Sequence, residues 1–214
     1  MNALILLGGS GAPETLLRRE LAASDLVVCA DSGAAHLNAM GHLPDILVGD
    51  MDSIDPSLLA TMERSGVELV RVLAAKDETD GWLAVDQAIA RGAEEIVILG
   101  AMGGRADHLL GNLMLLVRAT KRGVRAFIRD GECEITAATG PVEITGKAGQ
   151  TVSILPIGDG VSVRYLDGLM YGTLEPLPLP IDAPNGVSNV MTADVAHVTV
   201  DGFAYLVRLL CNYH

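Results

Sequence analysis

Four short stretches gather the residues best suited to chemistry, and each comes after an apolar run. Asp31-Ser32-Gly33 follows Leu26–Ala30, and Gly49-Asp50-Met51-Asp52-Ser53 follows Asp45–Val48. Lys76-Asp77-Glu78-Thr79-Asp80 follows Val67–Val72. Gly100-Ala101-Met102-Gly103-Gly104-Arg105-Ala106-Asp107-His108 follows Ile96–Leu99, with Asn112 one turn beyond His108. Two carboxylates two residues apart on a tight turn can converge on one hard cation; Mg²⁺ favours a few carboxylates together with phosphate oxygens and water. Gly33 permits close backbone approach, and the helix start after it suits an anion. Gly103 and Gly104 allow a turn that can hold phosphate, and Arg105 offers a planar cation for it.

Each stretch also has an ordinary explanation. Asp31 or Ser32, Asp52 or Asp55, Asp77 or Thr79, and Asp107 could each cap the helix that follows, and acids in a first turn suit the helix dipole. His108 could be a histidine fixed by a backbone carbonyl. Capping accounts for one residue per loop, not for the set. The elements around the stretches add weight to the joint reading. Apolar runs at Ala3–Leu7, Leu26–Ala30, Asp45–Val48, Val67–Val72, Ile96–Leu99 and Val124–Ile128 read as strands covered on both faces. Helical patterns lie between them, near Pro13–Ala23, Ala34–Met40, Pro56–Arg64, Thr79–Arg91 and Asp107–Arg122. Pro13 and Pro56 fit first turns, and Gly66, Gly92 and Gly123 fit positions just past helix ends. On the last helix, Leu109, Leu110, Leu113, Met114 and Val117 make the expected buried stripe. Strand–helix alternation of this kind predicts a mostly parallel sheet with helices on both sides, whose ligand site lies beyond the carboxyl ends of the strands. All four polar stretches fall there.

The pattern changes after Asp130-Gly131. Short β-like runs follow with no convincing helix: Cys133–Ala137, Val142–Thr145, Thr151–Pro156, Val161–Tyr165, Ala196–Val200 and Tyr205–Leu210. The four prolines of Pro176–Pro184 suggest an extended loop. The expected organisation is therefore an α/β domain over 1–130 and a smaller all-β sandwich domain over 131–214.

Composition narrows the partners. A formal charge of −12 repels polyphosphate backbones, so neither DNA nor RNA is expected, whereas a cationic small molecule is favoured. Half of the 214 residues are hydrophobic but only 3% are aromatic, so the core must be aliphatic. Cys29, Cys133 and Cys211 are widely spaced, without zinc-type spacing, as suits a reducing compartment. No run is long enough for a membrane span, and the start reads poorly as a signal peptide; the expected location is the cytoplasm.

Taken together, Ala30-Asp31-Ser32-Gly33-Ala34, Gly49-Asp50-Met51-Asp52-Ser53-Ile54, Lys76-Asp77-Glu78-Thr79-Asp80 and Gly103-Gly104-Arg105-Ala106-Asp107-His108 with Asn112 resemble the motifs of the thiamine pyrophosphokinase family, in its order and roughly at its spacing. A fifth match is Gly186-Val187-Ser188-Asn189. The family often reads Asp-Gly-Gly-Ala-Asn in the first motif; here Ser32 and Ala35 depart from it, and the C-terminal half has no tryptophan. The resemblance implies ATP and thiamine as substrates, Mg²⁺ as cofactor, and a homodimer with the thiamine pocket between the subunits. Asp50, Asp52 and Asp77 would hold the metal, with Asp31 and Asp80 as further candidates. Asp107 or a metal-site carboxylate would orient the attacking hydroxyl. Lys76 and Arg105 would steady the triphosphate charge; Asp31, Ser32, Gly33, Gly103, Gly104, His108 and Asn112 would line the ATP site. Ser188 and Asn189 would meet thiamine, although the residues alone read as a plain turn.

Other classes fit less well. Gly140 to Lys147 has one residue too many between its glycines for a P-loop, and Ala148 stands where Ser or Thr is needed. Glu14 occupies the third glycine position of a dinucleotide fingerprint starting at Gly9. A pyrophosphokinase for another alcohol, such as a hydroxymethylpterin, and a non-catalytic nucleotide or thiamine sensor remain as alternatives.

Overall fold

The computed structural model describes residues 1–10, 12–73 and 77–210, apart from the side chain of Leu166. The chain forms two compact units, Met1–Asp130 and Gly131–His214. Among the described residues there are twelve strands and five helices, with both parallel and antiparallel pairing.

The first unit alternates strictly: β1 (Asn2–Leu6), α1 (Glu14–Ala23), β2 (Leu26–Ala30), α2 (Gly33–Asn38), β3 (Ile46–Gly49), α3 (Pro56–Arg64), β4 (Glu68–Arg71), α4 (Asp80–Ala90), β5 (Glu95–Leu99), α5 (Ala106–Lys121) and β6 (Arg125–Arg129). Its strands pair in parallel in the order β6-β5-β1-β2-β3-β4. The order turns back at β1: the chain builds outward to β4, then crosses to β5 on the other side. Loops leaving β1 and β5 therefore diverge and open a crevice. Leu4, Leu6, Val27, Cys29, Leu47, Val97 and Leu99 share one core with residues of α1, α2 and α3. Their neighbours Ile5, Val28 and Ile98 point to the other face and are equally buried. Burial on both faces is why these strands read as unbroken apolar runs.

Helix α5 departs from its pattern. Leu115, Leu116 and Ala119 are the buried residues, whereas Leu110 and Met114 of the expected stripe are 60% and 66% exposed. The helix is apolar on two sides, so periodicity cannot choose between them. Packing does. A Cβ at Gly81 of α4 would lie 3.2 Å from the Leu115 side chain, which shows how closely α4 meets that face.

The second unit contains β7 (Cys133–Thr145), β8 (Thr151–Pro156), β9 (Val161–Asp167), β10 (Leu177–Leu179), β11 (Asn189–Val190) and β12 (Val195–Leu209), all paired antiparallel. Where the sequence suggests a small sandwich of short strands, two pairs of runs fuse. β7 spans Cys133–Thr145, and β12 pairs with it along its length. β12 bends between Val200 and Ala204, where the register shifts, and pairs with β9 before the bend and β8 after it. A bulge lets a strand turn without ending. Val152, Ile154, Val161, Val163, Val198 and Leu206 from both arms meet in one core. The proline-rich stretch is not wholly loop: Leu177–Leu179 pairs with β9 as an edge strand, where Pro178 is tolerated.

Candidate active site

The loops after β1, β2, β3 and β5 and the starts of α4 and α5 enclose a cavity of about 670 Å³ in the first unit. Its floor is backbone: Gly8, Gly9, Gly100, Gly103 and Gly104 line it. A Cβ at Gly8 would fall 1.9 Å from Ser32 Oγ, so the β1 and β2 loops touch only because no side chain lies between them. Thr79, Asp80 and Gly81 close one side, and Arg105, Asp107, His108, Gly111 and Asn112 another. Asn112 Nδ2 donates to the Ala101 carbonyl at 2.8 Å and so holds the glycine turn against α5.

Asp31 lines the cavity and also belongs to an acidic group. Carboxylate oxygens of Asp31, Asp50 and Asp52 all lie within 4.8 Å of one another. Each acid reaches that point by backbone geometry. Asp31 has φ +42, and its amide donates to the Val48 carbonyl at 3.0 Å, which ties the end of β2 to β3. Gly49 has φ +151, and a Cβ there would lie 2.1 Å from Asp31 Oδ1, so the Gly-Asp step makes room for the approach. Met51 has φ +66, its amide facing Asp31 Oδ1 at 3.3 Å; the Asp52 amide donates to Asp50 Oδ1 at 3.1 Å.

Crowding shows in the electrostatics. Burial first, then the charge and hydrogen bond of Asp80, and the charge of Asp50, push the Asp31 carboxyl up to about 6, against some relief from the Met51 amide. A cation would relieve the same repulsion.

The capping question is also resolved. Asp55 caps α3, accepting from the Ser57 and Leu58 amides at 2.8 and 3.2 Å, which leaves Asp52 for the acidic group. Thr79 caps α4 through the Trp82 amide at 3.1 Å, which leaves Asp80 beside Asp31. Ser32 stands at the N-terminus of α2 without a side-chain capping bond.

Other expected residues stand differently. Asp77 is exposed and is not one of the three grouped carboxylates. Lys76 lies outside the described residues. Asp107 is engaged by Arg105, whose Nε and Nη2 donate to its two oxygens at 3.1 and 2.6 Å. The hydrogen bond from Arg105 lowers the Asp107 carboxyl to about 2, so it is a poor proton acceptor in this pairing. In the second unit, Ser188 has φ +64 and donates its amide to Ser153 Oγ at 3.0 Å. Asn189 is only 6% exposed. Its Oδ1 accepts from the Tyr171 amide at 3.0 Å and the Val190 amide at 2.8 Å, and its Nδ2 donates to the Tyr171 carbonyl. Its amide thus grips a turn from inside.

Residues 17–128 match the family model described as "Thiamin pyrophosphokinase, catalytic domain". The chain belongs to the thiamine pyrophosphokinase family. Thiamine pyrophosphokinase of Bacillus subtilis is 30% identical over 76% of this chain and 78% of its own. Thiamine pyrophosphokinase 1 of rice is 28% identical over 82% of this chain and 75% of its own. Among solved structures, the thiamine pyrophosphokinase of Bacillus subtilis matches with a TM-score of 0.82 at 24% identity, covering 98% of this chain and 99% of that one. The thiamin pyrophosphokinase of Candida albicans matches with a TM-score of 0.81 at 18% identity, covering 98% and 89%.

For a chain of the thiamine pyrophosphokinase family, one feature stays open in a reading of the sequence and another escapes it. Gly8 and Gly9 line the cavity, although a tight strand–helix turn explains them equally well in sequence. Tyr171 is 62% exposed while Asn189 fixes its backbone. An aromatic beside a glycine in Tyr171-Gly172 was the available signal.

Proposed function

We propose that this protein transfers the diphosphate group of ATP to the hydroxyl of thiamine, releasing AMP. The observation that carries the reading is the meeting of the Asp31, Asp50 and Asp52 carboxylates beside a glycine-floored cavity large enough for a nucleotide. The donor set suits Mg²⁺: three hard carboxylate oxygens, with no thiol or imidazole among them. Bound there, Mg²⁺ would neutralise charge on the phosphate oxygens. Asp50, Asp52 and Asp31 would hold it, with Asp80 adjoining and Asp77 at greater remove.

In the transfer, the thiamine hydroxyl oxygen bonds to the β-phosphorus as the bridge to the α-phosphate breaks. AMP leaves with the electron pair, and the hydroxyl proton passes to solvent water. Such chemistry depends on positioning and charge. The backbone of Gly100 to Gly104, the start of α5 and Ser32-Gly33 would seat the phosphates, with His108 and Asn112 along the wall. Asp107 would keep Arg105 aimed at them, and Lys76 would add a second cation.

Thiamine is a cation and suits the acidic rim. We place its rings against the second unit of another copy, so that a homodimer completes the site. Asn189 would set Tyr171, whose ring offers thiamine a flat face, and Ser188 would shape the adjoining turn. Met170 and Leu174, also exposed, would join that surface. A reducing cytoplasm suits the thiols Cys29 and Cys133, which are buried and form no disulfide.

Isothermal titration with thiamine and a non-hydrolysable ATP analogue, with and without Mg²⁺, tests the reading. Both ligands should bind, the nucleotide more tightly with Mg²⁺, and ATP should yield AMP only with thiamine. AMP release with a hydroxymethylpterin instead, or tight binding without AMP, would move the assignment to another acceptor or to a sensor.

A further inference from the structure

The residue between the two aspartates of the β3 loop belongs to no polar set, yet it is the most constrained in the loop. Met51 is not glycine and still has φ +66, a conformation that ordinary side chains avoid. Its side chain is 7% exposed and lies in the core that Leu4, Leu6, Cys29 and Leu47 share with α1, α2 and α3. Ile54, three residues on, is buried in the same core. Between these two anchors, Asp52 and Ser53 are exposed, and Ser53 lines the cavity. The loop is therefore nailed down on its apolar side while its acids project on the other. Burying a whole methionine side chain outweighs the cost of one left-handed residue, so the core can hold the strained turn.

We infer that Met51 is a positioning residue: its buried side chain holds the β3 loop in the left-handed turn that directs the Asp50 and Asp52 carboxylates toward Asp31. The role rests on the metal reading above but acts before any ligand arrives. A loop without the anchor would sample conformations in which the three carboxylates are apart, and binding would first have to gather them. Glycine at this position would lose the anchor and the strain together. Leucine would keep a buried apolar anchor.

The test compares Met51→Gly and Met51→Leu with Met62→Ala, which empties part of the same core from α3. Two readouts are taken: Mn²⁺ affinity by electron paramagnetic resonance with a non-hydrolysable ATP analogue, and hydrogen exchange of the amides of residues 49–54 in EDTA. Met51→Gly should weaken Mn²⁺ binding about 10- to 100-fold, as loss of supporting contacts around a metal does, and speed exchange in the metal-free loop. Met51→Leu should stay close to the unaltered protein, because the swap conserves volume. Met62→Ala should lose global stability in urea and keep its Mn²⁺ affinity. If the glycine variant does not fold, Met51→Ala takes its place and should lose affinity in the same direction. Equal affinity in Met51→Gly and the unaltered protein, or an equal loss in Met62→Ala, would overturn the role of Met51. Failure of the unaltered protein to bind Mn²⁺ at all would overturn the metal reading, and this role with it.

Discussion

Asp31→Asn removes one charge from a crowded group while changing almost nothing else. Asparagine keeps an oxygen to accept the Met51 amide and tolerates the φ of +42 at this position. The effect on stability follows from the carboxyl's rise from its ordinary value of 3.8 to about 6. Converted in full at about 1.4 kcal/mol per unit, that rise corresponds to roughly 3 kcal/mol. Asp31 is only partly buried, and solvent screens such interactions, so about 1 kcal/mol is the working figure. The sign is fixed by linkage. A carboxyl whose value is higher in the folded chain favours folding when protonated; that contribution is complete below about pH 4 and lost as pH rises through about 6. Urea unfolding in EDTA should therefore find Asp31→Asn more stable than the unaltered protein by about 1 kcal/mol near pH 8, and equal to it below about pH 4. With saturating Mg²⁺ and an ATP analogue the order should reverse, because only the unaltered protein gains binding energy, about 2.7 kcal/mol at a hundredfold excess over Kd. A variant that is less stable than the unaltered protein in EDTA near pH 8 would refute the reasoning. Asp31 would then be a structural hydrogen-bonding group, not a member of a repelling cluster awaiting a cation.

Three further outcomes are expected. Asp55→Ala should lower the urea midpoint, through loss of the α3 cap, and leave the rate of AMP release unchanged, in contrast to Asp52→Asn, which should abolish it while keeping the fold. Asp86 on α4 faces burial, which opposes its charge, yet its bonds from Arg118 and Trp82 and the charges of Arg118 and Arg122 hold its carboxyl below the ordinary value; Asp86→Ala should lower stability by about 1 kcal/mol at neutral pH, less as pH falls through the carboxylate range, because two partly exposed, solvent-screened cations lose their partner. Asn189→Ala should cost about 2 kcal/mol in urea unfolding by leaving the Tyr171 amide and carbonyl unpaired, and should raise KM for thiamine without changing KM for ATP.

Much of the architecture was legible in residue order. Buried parallel strands must be apolar on both faces, so β1, β2, β3 and β5 stand out as short runs of Leu, Ile and Val, and the helices between them carry their own stops. Because such strands present their loops at one edge, acids placed directly after them could be expected to meet. Which acids meet was not legible. Asp31 and Asp77 both follow a strand and precede a helix, and local sequence rates them alike. Capping separates some of the candidates: Asp55 and Thr79 take the helix ends, while Asp52 joins the acidic group and Asp80 lines the cavity. The rest depends on pairing across the sheet. β2 lies beside β3, so Asp31 stands against the Gly49-Asp50 turn, and that adjacency belongs to strand order, not to spacing along the chain. The two apolar sides of α5 and the fusion of short runs into β7 and β12 have the same cause. Periodicity states what a residue prefers to bury, but the neighbour that buries it comes from elsewhere in the chain.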